Sequence, residues 1–413
     1  MPETLSPAKL VHFRGHKTAA PIWQSEAVRA GPFIFTSAVL ATDWVNGIAP
    51  EAEVDGKFPY FASEAELQTE YILRSLSRTL QQAGSTLDSV VKAHVFLLES
   101  SDFPGFDRVW KRYFPNPPTR TTVGAAGLLI PGARLEISLI SLAADSGLKK
   151  SPASSDGPRP LTKKVEAMRA GDFVFTSGQL AHNAIGGVPP EAGGRGAKAD
   201  MQKQSDYTIR NMLGSLSAGG ARPADVVKGQ ALLLDTKQES GFLKAWRDGI
   251  PASTALAVTG IGSLLVGDTI IEIDLTAYTG DDLVVSKNIS PRGPEAVRCG
   301  DLVFSAGIFP GFDTGTLPDE CVVSPAYPHY SSEIRLQTEW ALKRIDAALR
   351  SVGSDLAHVA KAQVFLTDLS DFAQFDEVWK AYFPTAPARS VVKASPLPVD
   401  GAVIAIEVYA VRS

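Results

Sequence analysis

Histidine and cysteine, the side chains most often recruited for metal binding and nucleophilic chemistry, are sparse in this 413-residue chain. The six histidines, His12, His16, His94, His182, His329 and His358, show no HExxH pattern and no repeated ligand spacing, so no metal is expected. The two cysteines, Cys299 and Cys321, are too few for a disulfide framework and fit a reducing compartment. No P-loop, no GxGxxG after a strand and no GxSxG elbow occurs, and no cofactor is implied. The glycine-rich GGRGAKAD at 193–200 reads as a flexible loop. Arginine and the carboxylates remain. Arg120 and Arg389 close two closely related segments, SDFPGFDRVWKRYFPNPPTR (101–120) and SDFAQFDEVWKAYFPTAPAR (370–389). A planar guanidinium pairs with a carboxylate through two parallel hydrogen bonds, and an arginine that follows a helix usually spends them on a surface or interface ion pair.

Those segments belong to a repeat that spans the chain. KAHVFL (92–97) returns as KAQVFL (361–366) and LQTEY (67–71) as LQTEW (336–340), all at a constant offset of 269. A weaker copy lies between them. EAVRAGPFIFTSAVLA (26–41), VEAMRAGDFVFTSGQLA (165–181) and EAVRCGDLVFSAGIFP (295–310) are three versions of one segment. The units run near 1–145, 158–280 and 288–413, too long for solenoid repeats and the size of small domains. Polar stretches rich in Pro, Gly or Ser join them, at 145–160 and around 287–294.

Within a unit, the pattern predicts an α+β domain. PFIFTSAVL (32–40) reads as a strand after the turn at Ala30-Gly31. SEAELQTEYILRSLSRTLQQAG (63–84) places Leu67, Tyr71, Leu73, Leu76 and Leu80 near helical spacing and stops at Gly84. VVKAHVFLLE (90–99) is a strand. Ser101-Asp102 then caps a helix with the apolar stripe Phe103, Phe106, Val109, Trp110, Tyr113 and Phe114. TRTTVGAAGLL and LEISLISLA (135–143) close the unit as strands. Two helices on one face of a four-to-six-stranded sheet leave the other face to be covered. Three such sheets facing inward would close on one another as a pseudo-trimer in one chain.

Composition bounds the partners. With 44% hydrophobic residues and a formal charge of −5, the chain has ample core and no global basic field for nucleic acid. No run of about 18 apolar residues and no N-terminal apolar signal region is seen, so a cytoplasmic protein without membrane contact is expected.

The order TSG, K-x-x-V-F-L-x-D-x-x-D-F-x-x-F-D, P-x-R-[ST]-x-V, L-P and E-I-x-x-x-A resembles the Rid (YjgF) family, over nearly the whole chain. The resemblance implies three chorismate-mutase-like domains, each a mixed sheet with two helices, and reactive imine/enamine deaminase activity. It also assigns roles. Arg120 and Arg389 match the family's substrate arginine, which would hold the carboxylate of an imino or oxo acid. Glu136 and Glu272 match its strand carboxylate, which would position water and transfer protons. Ser37 and Ser177, and Asp107 and Asp376, match further substrate-binding positions. The second copy has Leu256 for the arginine and Leu243 for the aspartate, while the third has Ala405 for the glutamate and Ala306 for the serine. Glu407 points the same way as Ala405 but about 6–7 Å further along the strand.

Family pockets lie between subunits, so three arrangements are open. If Arg and Asp of one copy meet Ser and Glu of the next in the order 1→2→3→1, Arg120 joins Glu272 and Arg389 joins Glu136. The third pocket, Leu256 with Ala405, is then lost on both walls. The opposite order leaves only Arg389 with Glu272, and pockets within single copies leave only the first.

Copies one and three also share a longer loop, 47–64 and 315–333, with Tyr60, Phe61, His329 and Tyr330. Packing down onto the domain is the default for such aromatics; lining a pocket for a bulky or cyclic substrate is the functional alternative. Ile22 and Trp23 stand where the family often has tyrosine. The chain thus reads as a monomeric pseudo-trimer hydrolysing a C=N or activated C–N bond of a small carboxylate-bearing metabolite. A non-catalytic metabolite-binding or protein-protecting module of the same fold, and a ribonuclease, are the alternatives.

Overall fold

The computed structural model describes residues 10–13, 22–155, 165–183, 187–193 and 199–413. Each copy begins with a hairpin whose turn needs a left-handed residue. Gly31, Gly171 and Gly300 supply it at φ of 58°, 60° and 58°, where a side chain would be strained. In the first copy the hairpin strands Ala27–Ala30 and Phe33–Thr36 pair antiparallel. Phe33–Thr36 then pairs with the central strand Leu135–Leu142, which pairs on its other side with Val90–Leu97. Val90–Leu97 lies parallel to the strand Thr119–Gly124, with a helix between them in sequence. Leu10–Phe13 completes a six-stranded sheet. The second and third copies repeat this order.

Two helices cover one face of each sheet: α1 (Glu64–Gln82) and α2 (Phe103–Tyr113), α3 (Met201–Ala218) and α4 (Glu239–Gly249), α5 (Glu333–Arg350) and α6 (Phe372–Tyr382). Alternation along a strand sorts the side chains. Ala93, Val95 and Leu97 join Leu73, Leu76, Phe106 and Trp110 beneath the helices, whereas Lys92, His94 and Phe96 face inward. The inward faces of all three sheets share one core. Phe33 meets Phe173 edge-on at 5.5 Å, Phe173 meets Phe304 at 6.1 Å, and Phe304 meets Tyr409 at 5.6 Å.

The copies are laced in a ring by repeated backbone bonds. Gly178 N donates to Arg120 O at 3.1 Å, Gly307 N to Leu256 O at 3.1 Å and Ala38 N to Arg389 O at 3.0 Å. Each bond joins the edge strand of one copy to the hairpin end of the next, so the order is 1→2→3→1.

Two local expectations change. Asp102 does not cap α2; its carboxylate pairs with Arg134 at 2.7 Å. The stretch 145–160, read as linker, contains the strand Lys150–Ala153, which pairs with Ala167–Ala170 at the edge of the second sheet. Lysine and proline suit an exposed edge because they discourage further strand pairing, and that same polarity hides the strand in the sequence. Leu283–Val285 plays the equivalent part in the third sheet.

Candidate functional site

The edge strand Thr119–Gly124 turns Arg120 toward the helices, and the guanidinium lies 5.5, 5.0 and 5.0 Å from the rings of Phe103, Phe106 and Trp110. The apolar stripe that makes α2 amphipathic therefore also forms the platform for this charge. Asp107 Oδ1 stands 3.6 Å from Arg120 Nη1, and Asp107 Oδ2 is held by Lys111 at 2.6 Å. Burial lowers the Arg120 pKa to about 10, opposed by Asp107 and, across the seam, by Glu272. Glu272 sits opposite Leu180 on the central strand of the second copy. A methyl group on Gly178 would come within 2.0 Å of Glu272 Oε1, so glycine is what leaves room for the carboxylate.

The third–first seam repeats these parts. Arg389 lies over Phe372, Phe375 and Trp379 at 5.4, 5.2 and 5.2 Å, and its Nη2 donates to Asp376 Oδ1 at 2.6 Å. Its Nε and Nη1 are buried without a hydrogen-bond partner, and desolvation lowers its pKa. Trp23, from the first copy, donates its backbone N–H to Asp376 Oδ2 at 3.3 Å and its indole N–H to Phe383 O at 2.6 Å. Glu136 neighbours Ile137, which bridges Val39 next to Ala38, the residue whose N–H donates to Arg389 O of the third copy. It is 1% exposed, neither carboxyl oxygen has a hydrogen-bond partner, and desolvation raises its pKa to about 8.

The two serines bond to backbone on both sides of their seams. Ser37 Oγ donates to Ser25 O at 2.6 Å and accepts from Arg389 N at 2.7 Å. Ser177 Oγ donates to Val165 O at 2.6 Å and accepts from Arg120 N at 3.0 Å. Both hydroxyls are spent on backbone, and they clamp the arginine of the preceding copy. Likewise Asp376 orients its guanidinium. These three residues position the arginines.

At the second–third seam Leu256, Leu243, Ala306 and Ala405 are all buried. Arg292, at the repeat position of Trp23, forms a bidentate pair with Glu239, Nε and Nη2 each 2.6 Å from a carboxylate oxygen. Glu239 stands at the repeat position of Phe103. The Arg292 guanidinium also covers Phe309 at 4.9 Å and donates to Phe312 O. Sequence comparison of retained residues missed this pair, although opposite charges at the repeat positions of Trp23 and Phe103 were a visible signal. Glu407, considered as a stand-in for the lost glutamate, is instead the ion-pair partner of Lys228.

The aromatic loops do not pack down. Tyr60 is 97%, Phe61 87% and Tyr330 88% exposed, with Phe58 against Phe61 and Tyr327 against Tyr330 as edge-on pairs. Among the described residues no group of His, Cys, Asp and Glu could hold a metal ion, and no helix is long and apolar enough to cross a membrane.

Three inward-facing α+β domains with arginine and glutamate at their seams define a class of fold. The family pattern described as endoribonuclease L-PSP matches residues 17–143, 155–279 and 292–412, and the chain belongs to this family, also called Rid or YjgF. Over 129 residues it is 35% identical to the RutC family protein y4sK of Sinorhizobium fredii, 30% of this chain and 92% of that protein. It is 34% identical over 118 residues to Reactive Intermediate Deaminase A, chloroplastic, of Arabidopsis thaliana. That match spans 28% of this chain and only 57% of the Arabidopsis protein. A crystal structure of a chorismatase is similar in fold at a TM-score of 0.51 and 13% identity, covering 78% of this chain and 93% of that one.

Proposed function

We propose that the chain is a deaminase-type hydrolase that cleaves the C=N bond of a small carboxylate-bearing imine or enamine, at two seams. The observation that carries this reading is a buried guanidinium with unspent N–H donors on one copy and a buried carboxyl group on the next. Unpaired buried donors favour a ligand able to satisfy them, and a planar carboxylate fits the fork. Arg120 and Arg389 hold that carboxylate. Glu272 and Glu136 face the C=N group. One proton moves from the carboxyl to the imine nitrogen, water adds to the carbon, and the carboxylate takes a proton back from the water. Collapse of the carbinolamine releases ammonia and leaves the oxo acid. Glu136, neutral at pH 7 because of its burial, starts this cycle in the donor form. Relatives named as reactive intermediate deaminase support the reaction type.

The test is ammonia release from freshly generated 2-imino acids. Each single variant, Arg120→Ala or Arg389→Ala, is expected to retain the turnover of the other seam, and the double variant to retain none. Full activity in the double variant removes the carboxylate anchor. Saturable binding without ammonia release assigns the chain to metabolite binding. Cleavage of RNA is not expected from a chain of charge −5, and its appearance would replace this reading with the family description's nuclease.

A further inference from the structure

Three lysines occupy one repeat position, Lys92, Lys228 and Lys361, all buried on the inward face. Each reaches across a seam to the central strand of the next copy. Lys92 Nζ lies 3.2 Å from Asp274 Oδ2, and Lys228 Nζ pairs with Glu407. The third crossing ends on an alcohol, with Lys361 Nζ 2.6 Å from Ser138 Oγ. Ser138, Asp274 and Glu407 are the same repeat position, so the first copy has lost the acid that neutralises its neighbour's lysine.

The nearest carboxyl group on that strand face is Glu136, two residues along and roughly 6–7 Å away. Its placement differs from that of Glu272. Gly178 leaves room for the Glu272 carboxylate, but the first copy carries a methyl at this point, Ala38, and Glu136 cannot use the same space. Each acts on the other: Lys361 lowers the pKa of Glu136, and Glu136 raises that of Lys361. Other charges around Lys361 are spent. Glu407 is paired with Lys228, Asp274 with Lys92, and Arg389 with Asp376 on the opposite face of its strand. His94 is held neutral by burial, with a pKa of about 4, and the Tyr409 hydroxyl opposite Lys361 is pushed well above its ordinary value.

We propose that Lys361 is the proton partner of Glu136, the two groups holding one proton between them at the third–first seam. This extends the hydrolase reading above, on which its catalytic consequence rests. The exchange is balanced: lysine ammonium with glutamate carboxylate becomes lysine amine with glutamic acid. When Glu136 gives its proton to the imine nitrogen, the charge on Lys361, whose Nζ is bonded to Ser138 two residues along the strand, sets how readily the carboxylate left behind is reprotonated. Lys361 acts through Glu136 and is a positioning residue for its proton. At the first–second seam the corresponding lysine, Lys92, is committed to Asp274, so the two seams differ in their proton inventory.

The first test does not use turnover. Protein carrying 15N-labelled lysine and 13C-labelled glutamate is titrated by NMR, with Lys361→Met and Glu136→Gln for assignment. A lysine Nζ titrating near pH 7 is expected, where burial already places Lys361. Ser138→Asp restores the missing acid and should hold Lys361 as ammonium across the neutral range. Lys361→Met should move the Glu136 carbon titration upward, which keeps the idea falsifiable if the aspartate variant does not fold. An ammonium that never titrates below pH 9 or so in wild type, with Glu136 ionising near the ordinary carboxylate value of about 4.3, overturns the pair. The second test is the pH profile of kcat/KM in an Arg120→Ala background, where only the third–first seam turns over. Ser138→Asp should shift it by roughly one pH unit or more. An unmoved profile also overturns the proposal. NMR titration without any imine hydrolysis leaves the pair standing and removes the hydrolase reading; hydrolysis without the titration does the reverse.

Discussion

The second–third seam and its two neighbours start from the same repeat positions and end as opposites. At the outer two, an arginine over three aromatic rings is left with unspent donors. In the middle one, an arginine enters from the other copy and is completed at once by Glu239 and Phe312 O. A guanidinium satisfied inside the protein has no donors left for a ligand, whereas one left unsatisfied keeps them. The absence of Arg, Asp, Ser and Glu from the middle seam is therefore accompanied by the presence of Arg292 and Glu239, and the matched absences describe only half of the difference.

The largest effects should come from making the open seams resemble the closed one. Leucine, the second copy's own residue, is placed at Arg120 and Arg389. Each substitution removes charged hydrogen bonds worth about 1.5–3 kcal/mol apiece, so kcat/KM at that seam falls by roughly a hundredfold or more. The double variant is expected to be inactive yet folded, as judged by circular dichroism and ammonia assays. A double variant that keeps its rate would erase the distinction between the seams.

Arg292→Ala or Glu239→Ala probes the same contrast from the other side. Either leaves a buried charge uncompensated and should cost about 3–5 kcal/mol in urea denaturation. Replacing both, by Met and Leu, should recover most of this, because a buried ion pair contributes little over packed apolar side chains. Turnover per folded molecule should hardly change. If Arg292→Ala instead abolished turnover and spared stability, the middle seam would be a site.

The pH dependence separates Glu136 from its surroundings. Its folded pKa, about 8, lies above the unfolded value of about 4.3. Between these values the folded chain holds a proton that the unfolded chain has released. The contribution of Glu136 to stability is therefore complete below the lower value and lost as pH rises through the upper one. His94, depressed to about 4, contributes with the opposite slope between about 4 and 6.5, so the wild-type curve alone is not diagnostic. The difference curve is. Glu136→Gln should gain stability relative to wild type from pH 5 to 8, by on the order of 2–4 kcal/mol, and a flat difference would mean that Glu136 is ionised throughout.

Much of this organisation was legible in the residues. The constant offsets expose the three domains, and the ring order that unites Arg120 with Glu272 and Arg389 with Ser37 was one of three readings compatible with the losses. Choosing among them needed the backbone bonds that define which edge meets which hairpin. Arg292 and Glu239 escaped because a search for retained polar residues cannot see polar residues that were gained. Lys92, Lys228 and Lys361 were in plain view in every copy, but a lysine in a strand resembles a surface residue until an inward face shared by three sheets is known. The serines were found, and their backbone bonds to the arginine-bearing strands came only with the structure. A hydroxyl near a ligand cleft and a hydroxyl clamping the backbone that carries the ligand-binding residue have the same sequence pattern.

The smallest expected effect tests the subtlest difference between the two open seams, a single methyl group. Gly178→Ala places Cβ 2.0 Å from Glu272 Oε1 and 3.0 Å from Thr121 Cγ2. The carboxylate is the end of a flexible side chain and can yield, so stability should fall by only about 1 kcal/mol. Function is less tolerant, since a displacement of about 1 Å at a reacting group can cost a hundredfold. The rate measured in an Arg389→Ala background should fall accordingly. Ala38→Gly is the reciprocal change and gives Glu136 the space that Glu272 has, at a backbone cost of about 0.5–1 kcal/mol. If the methyl is what turns Glu136 toward Lys361, this variant in an Arg120→Ala background should take on the pH profile of the first–second seam. If the profile stays where it was, the missing acid at Ser138 alone sets the difference between the two sites.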